Sequence, residues 1–234
     1  RASQYYLPQR FQSPQMVFSQ GGYEAIQKDT KQKDEFLKNI GINLNLAPVC
    51  NVITNPDDFM YPRSFGKDAK ETSQYVKTVL KQMNTDKMGS CLKYFPGYGN
   101  NKDTYNQIIH DQRSYQELKE NDFLPFQEGI KENANMILVC HNILDSIDNQ
   151  KPASLSKKVH DFLRNDLSYQ GIIITDDLNM NGVKDDDSDV NNAIQAILAG
   201  NDMIIANDIE KQYQAILDAI YQNEISMNQI DQSV

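Results

Sequence analysis

The stretch "GIIITDDLNM", residues 171–180, decides the fold. Three isoleucines and a threonine run on from a glycine without alternating with polar residues. A strand with one wet face alternates, whereas an unbroken short apolar run suits a strand covered on both faces, the habit of parallel sheets. The run then stops on two acids, Asp176 and Asp177. Four other stretches read the same way: "GINLNLAPV" (41–49), "GSCLKYF" (89–95), "NMILVCH" (135–141) and "DMIIAN" (202–207). All five are expected to be buried strands.

Helical periodicity fills the gaps between them. Val76, Val79, Leu80 and Met83 recur at i, i+3, i+4 and i+7 in "AKETSQYVKTVLKQM". Val190, Ala193, Ile194, Ile197 and Leu198 do the same in "SDVNNAIQAILAG", where Gly200 supplies a stop. "SLSKKVHDFLRNDL" puts Val159, Phe162 and Leu163 on one face behind a Ser156 cap, and "YEAIQKDTKQKDEFLKNIG" precedes the first strand. A leading helix followed by five strand-plus-helix units means a parallel α/β architecture. An open doubly wound sheet and a (β/α)₈ barrel both fit. No glycine-rich phosphate loop follows any strand, which weakens the nucleotide-binding form. A barrel would need about three more strands on the N-terminal side, and the chain opens on "RASQYYLPQRF" without an initiator Met, so an upstream segment is expected.

The 234 residues carry a net charge of −9, which argues against nucleic acid and against an anionic membrane surface as partners. No apolar run approaches the roughly 20 residues that span a bilayer. Cys50, Cys91 and Cys140 each lie in or at the end of a strand-like run and read as buried free thiols. With no CxxC or Cys/His pattern, neither metal nor cofactor is expected. A monomer is expected.

In parallel α/β folds ligands bind where strands end. Lys93 closes the second strand, His141 the third and Asp176 the fourth, and Arg63 lies in the loop after the first. Taken singly, Asp176 could cap a turn and His141 could be a hydrogen-bonded structural histidine. Lys93 needs a partner for its buried charge. Together the four should share one crevice, with an anionic nucleophile or base and two cationic donors suited to sugar hydroxyls or a carboxylate.

Several motifs in order resemble those of glycoside hydrolase family 3, in its bacterial β-N-acetylhexosaminidase (β-N-acetylglucosaminidase) branch. They are "GINLNLAPVCNVITNP", "YPRSFG", "LKYFPGYGNNKDTY", "PASLS", "LSYQGIIITDDLNM" and "AILAGNDMIIAND". The resemblance runs from about Ile42 to the end. It implies one domain over residues 1–234, holding the last five units of a (β/α)₈ TIM-type barrel. It further implies a retaining hydrolase acting on GlcNAc-containing glycans such as peptidoglycan fragments, in the bacterial cytoplasm or at the cell surface.

The resemblance also assigns roles. The nucleophile falls on Asp176, and a sugar-binding arginine on Arg63. The family's Lys-His pair falls on Lys93 and Tyr94, and a further sugar-contacting arginine on Arg1. The branch carries its acid/base histidine on a loop after the second strand, two residues beyond an orienting aspartate; these positions are Tyr105 and Asp103. Tyr94 and Tyr105 thus stand where the family has histidine. Tyrosine titrates near 10 and histidine near 6.5, so Tyr105 can give a proton but is a poor base. His110 lies past the motif and reads as an exposed loop residue. With Gly97 and Gly99 as hinges and little to bury, the loop from 97 to 107 is expected to be mobile. A slow hydrolase and a sugar binder without activity both fit; a bare scaffold leaves Arg63 and Lys93 unexplained.

Overall fold

A computed structural model describes residues 11–99, 101–105, 107–183 and 189–234. Helix α1 (Pro14–Asn39) starts on a Ser13 cap and precedes β1 (Leu44–Asn45). Then come α2 (Ala69–Thr85), β2 (Gly89–Phe95), β3 (His110–Asp111), α3 (Tyr115–Glu120) and α4 (Phe123–Lys131). They are followed by β4 (Met136–Val139), β5 (Ile143–Leu144), α5 (Lys157–Asp161) with a π-helical turn over Phe162–Asp166, and β6 (Ile172–Asp177). The chain closes with α6 (Asp189–Ala199), β7 (Met203–Ile205), α7 (Ile209–Tyr221) and α8 (Met227–Ser233).

The main sheet is parallel throughout and runs β1-β2-β4-β6-β7. Spatial order follows chain order and never reverses. A doubly wound sheet must reverse at a switch point, so the winding is that of consecutive units of a (β/α)₈ barrel. A small parallel pair, β3 with β5, stands apart from it and was not foreseen from the sequence.

Why the strands read so clearly is visible in their cover. On one face Leu92, Phe95, Ile137, Val139 and Ile173 pack with the helices, joined by Val76, Val79, Leu80 and Met83 of α2 and Phe123 and Phe126 of α4. On the other face Cys91, Met136, Leu138, Cys140 and Ile174 form a second buried cluster. Cys50, Cys91 and Cys140 are buried and free. Ser156 caps α5 as expected, its hydroxyl accepting from the Val159 N–H at 3.3 Å.

Two strands depart from expectation. The run 41–49 narrows to a two-residue strand and an isolated bridge of Val49 to Lys93, with Leu44 37% exposed, and Met203 of β7 is 47% exposed. Both strands are sheet edges with a single neighbour among the described residues. Apolar composition predicted burial, but each edge strand has one strand neighbour among the described residues, and these two side chains stay open to solvent.

Asp34 of α1 is fully buried, and neither carboxylate oxygen has a hydrogen-bond partner among the described residues. Burial, then the neighbouring Asp86 charge, push its pKa up to about 7, against the opposing pull of Lys38 and Lys33. Between about pH 4 and 7 the folded chain therefore holds a proton that the unfolded chain has lost, so stability falls as pH rises across that window. Asp34→Asn should remove this slope and gain up to about 4 kcal/mol at pH 8 relative to pH 4. Urea unfolding at both pH values checks it; identical pH dependence in parent and variant would exclude Asp34 as the cause.

Candidate active site

Side chains of a strand alternate between faces, so parity fixes which residues reach the concave cluster. Ile174 belongs to that cluster; the register of β6 against β7 shifts between Ile174 and Asp177, and Asp176 stands in that stretch at the carboxyl end of β6, with its charge acting on Cys91 and Tyr98 of the same cluster. Cys91 belongs to it too, which brings Lys93 there. The register of β2 against β4 shifts between Lys93 and Phe95, and Tyr94 follows Lys93 onto the same side. Two consecutive side chains thus face the site.

Tyr94 is the meeting point. Its hydroxyl accepts a hydrogen bond from Nη2 of Arg63, which stands on the short 3₁₀ turn Tyr61–Arg63. The Arg63 guanidinium carbon lies 5.3 Å from the Tyr94 ring centroid, and Nζ of Lys93 lies 5.1 Å from it. Two cations flank one aromatic ring, a favourable placement over a π-face. The Tyr94 N–H donates to Asn51 Oδ1 at 3.3 Å, and the ring meets Tyr98 edge-on at 5.8 Å.

Asp176 is half-buried and accepts the Asp177 N–H on Oδ1 at 3.0 Å; Asp177 in turn accepts from Asn179 N–H at 3.0 Å. Its charge is felt across the concave face. The Cys91 thiol is pushed up to about 12, first by burial, with Lys93 pulling down and Asp176 adding to the rise. Burial also raises the Tyr98 phenol, and Asp176 contributes. Arg63, Lys93, Tyr94 and Asp176 are therefore linked through Cys91, Tyr94 and Tyr98 around one concave surface.

His141 is placed differently from expectation. It is fully buried, and both ring nitrogens are engaged: Nδ1 with Ser154 Oγ at 2.7 Å, and Nε2 with the Asp177 carbonyl at 3.0 Å. A carbonyl only accepts, so Nε2 carries the proton and Nδ1 accepts from the serine. The imidazole braces the end of β6 from behind. His110 is exposed, with Nδ1 2.7 Å from Asp145 Oδ1. Arg1 lies outside the described residues.

The loop after β2 is more tied than its composition suggested. Tyr98 and Thr104 are buried and share a 2.9 Å hydroxyl hydrogen bond. From the turn after β6, Gly182 N–H donates to the Thr104 carbonyl at 2.9 Å and Asn181 N–H to the Tyr105 carbonyl at 3.1 Å. Asp103 Oδ1 accepts the Tyr105 backbone N–H at 2.9 Å, and Tyr105 is 58% exposed. Asp103 thus shapes the turn rather than holding the Tyr105 phenol.

Sequence reasoning missed the groups packed around the site: Asn51, Tyr98, Asp111, Asp122 and Asn142, which are buried, and Arg113, which is partly buried. Only their burial reveals them. Among the described residues no group of three or more His, Cys, Asp or Glu side chains could hold a metal, and no helix is long and apolar enough to cross a membrane.

The sequence profile described as "Glycosyl hydrolase family 3 N terminal domain" matches residues 9–234. The chain belongs to glycosyl hydrolase family 3. It is 30% identical over 223 residues to a Pseudoalteromonas piscicida protein named "Beta-hexosaminidase A", covering 85% of this chain and 37% of that protein. It is 29% identical over 174 residues to a "Beta-hexosaminidase" of Nitrosomonas eutropha, covering 74% and 50% respectively. A solved family 3 β-N-acetylglucosaminidase from Paenibacillus sp. superposes with a TM-score of 0.89 at 25% identity, over 96% of this chain and 44% of that one. The family 3 chain thus spans a third to a half of the length of these relatives, and it shares the barrel fold of the solved one.

Because burial lowers the His141 pKa against the opposing Asp176 and Asp177 charges, it should remain the neutral Nε2–H tautomer at pH 7. As pH falls below about 6.5 the unfolded chain takes up a proton that the folded one refuses, so this group costs stability on acidification. Imidazole ¹⁵N NMR reads both points; a protonated His141 at pH 7 would overturn the bracing geometry.

Proposed function

We propose that this chain forms the catalytic face of a retaining β-N-acetylhexosaminidase-like hydrolase that removes terminal β-GlcNAc from glycans such as peptidoglycan fragments. The observation that carries the reading is Asp176 at the carboxyl end of β6, its charge acting on Cys91 and Tyr98 of the cluster that holds Tyr94, with Arg63 bonded to that tyrosine. The names of the relatives support the substrate class.

Asp176 acts as the nucleophile. Its carboxylate attacks the anomeric carbon, the C–O bond to the leaving group breaks, and that oxygen takes a proton from the loop. Water then attacks the glycosyl ester, gives up its proton to the loop, and frees the sugar with retained configuration. Asp176 is ready for this because the Asp177 N–H fixes its rotamer without neutralising it. Arg63, Lys93 and Tyr94 bind sugar hydroxyls. His141 contributes by holding the backbone of Asp177. Tyr105 gives the proton, with Asp103 shaping its turn.

A sugar binder with little activity is the second reading. It is favoured by the exposed Tyr105, whose phenol has no hydrogen bond to a carboxylate among the described residues. General acid–base help is worth about 10²–10⁴-fold, and most of it is lost in such an arrangement.

An aryl β-N-acetylglucosaminide, whose leaving group needs little protonation, tests the nucleophile. The full chain should release the phenol, and Asp176→Asn should lower turnover by about 10³-fold or more. A fluorosugar should label Asp176. Labelling on Asp177, or full activity in Asp176→Asn, would remove Asp176 from the mechanism.

The loop has its own test. Tyr105→His should raise turnover on alkyl glycosides by about 10- to 1000-fold, with less gain on the first step of aryl substrates. No gain there, together with a harmless Asp103→Ala, would mean that the loop supplies no acid.

A further inference from the structure

The loop after β2 hangs from an ionic centre whose two carboxylates are buried. Nε and Nη2 of Arg113 donate to Asp111 at 2.9 and 2.6 Å, and Nη1 donates to Asp122 Oδ2 at 2.6 Å. Asp111 is fully buried and Asp122 is 3% exposed. The remaining Nη2 direction goes to the Gly97 carbonyl at 3.2 Å, which also takes a 3.4 Å contact from Asn142 Nδ2. One guanidinium therefore ties together the ends of β2 and β3 and the start of α4, and Asn142 adds the end of β4.

The contact with the loop is also steric. Gly97 and Gly99 have φ of 113° and 55°, in the left-handed region. A Cβ on Gly99 would lie 2.4 Å from the Arg113 guanidinium carbon, and one on Gly97 would lie 2.6 Å from Asp122 Oδ1. These glycines let the loop backbone lie directly on the ionic centre, as well as adopt its turn. Burial would push the arginine toward neutrality, but the hydrogen bonds and charges of Asp111 and Asp122 outweigh it and keep it charged.

We infer that Arg113 is a positioning residue for the proposed acid loop: its guanidinium, seated on Asp111 and Asp122, sets the height of the 97–99 turn and so the placement of residues 103–105 over Asp176. This rests on the hydrolase reading above. The turn leads through the buried Tyr98–Thr104 bond to the Thr104 and Tyr105 carbonyls that receive the 181–182 turn after β6, so the seat at one end fixes the far end. The device contributes to protonation of the leaving group and leaves attack by Asp176 alone.

Two variants probe it. Gly99→Ala keeps every charge and pushes the turn off the guanidinium; Arg113→Lys keeps the charge and loses the planar fork. On an alkyl β-N-acetylglucosaminide, kcat should fall by about 10²-fold in each, the scale of a misplacement near 1 Å, while the first step on an aryl substrate with a good leaving group changes less than about threefold. Backbone amides at 98–105 should exchange faster with deuterium in both variants, with β4 and β6 unchanged. Equal losses on alkyl and aryl substrates, or loop exchange unchanged in both variants, would overturn the proposal. If the parent cleaves neither substrate, the hydrolase reading fails, and loop exchange alone decides the structural part. If Arg113→Lys does not fold, Gly99→Ala carries both readouts.

Discussion

A side chain in a parallel strand reaches a given face only at every second position, so the chemistry of a barrel's concave surface is limited to one parity per strand. Here that parity is occupied by Cys91, Met136, Leu138, Cys140 and Ile174, which are apolar or weakly polar and buried. They make a dry floor, on which charged groups appear only where each strand runs out. Asp176 stands at the carboxyl end of β6, where the register against β7 shifts. Lys93 is the next position of the right parity on β2, and a register shift adds Tyr94 beside it. The floor buries the Cys91 and Cys140 thiols, the other cluster buries that of Cys50, and burial raises all three above the range in which thiolates form. It also raises the strength of any charge interaction above it, because little water lies beneath.

A second constraint comes from the rim. Loops at strand ends have few apolar groups with which to hold their shape. The chain meets this with a partly buried arginine on two buried carboxylates. Burying charges costs several kcal/mol per ion, and their mutual attraction recovers that only with good geometry. The fork of Arg113 supplies it, spanning both oxygens of Asp111 and one of Asp122. Such a centre adds little net stability over apolar packing. What it offers is a single allowed arrangement of four chain segments, which packed side chains alone specify less tightly.

How much of this was legible in the sequence follows from what each signal measures. Continuous apolar runs report cover on both faces, so β2, β4 and β6 were readable. The same composition at β1 and β7 misled, because composition cannot say whether a strand has one neighbour or two. Strand-end polarity located Arg63, Lys93 and Asp176, since a charge after an apolar run is conspicuous. It also located His141, but not that both its nitrogens are spent inside the protein. Arg113 was invisible for the opposite reason: among Asp111, Gln112, Ser114 and Tyr115 a charge looks like surface. Gly97 and Gly99 were legible as special positions, yet the sequence could not tell a hinge from a close approach.

Tyr94 sharpens one point of the proposed chemistry. During attack the sugar develops positive charge at the anomeric carbon, and a carboxylate beside it lowers the barrier while a cation beside it raises it. Arg63 and Lys93 would oppose catalysis if they stood next to that carbon. Both instead address the Tyr94 ring, at 5.3 and 5.1 Å from its centroid. A histidine at that position could itself become a third cation at mildly acid pH, whereas a phenol does not. Tyr94 therefore holds two cations in a fixed place without adding to their charge. The proposed site is polarised, with donors on the β2 side and the carboxylate on the β6 side. A sugar bound across it would present its hydroxyls to Arg63 and Lys93 and its anomeric carbon to Asp176. The reverse orientation would set developing positive charge against two cations, so charge alone selects which end of the ring meets the nucleophile.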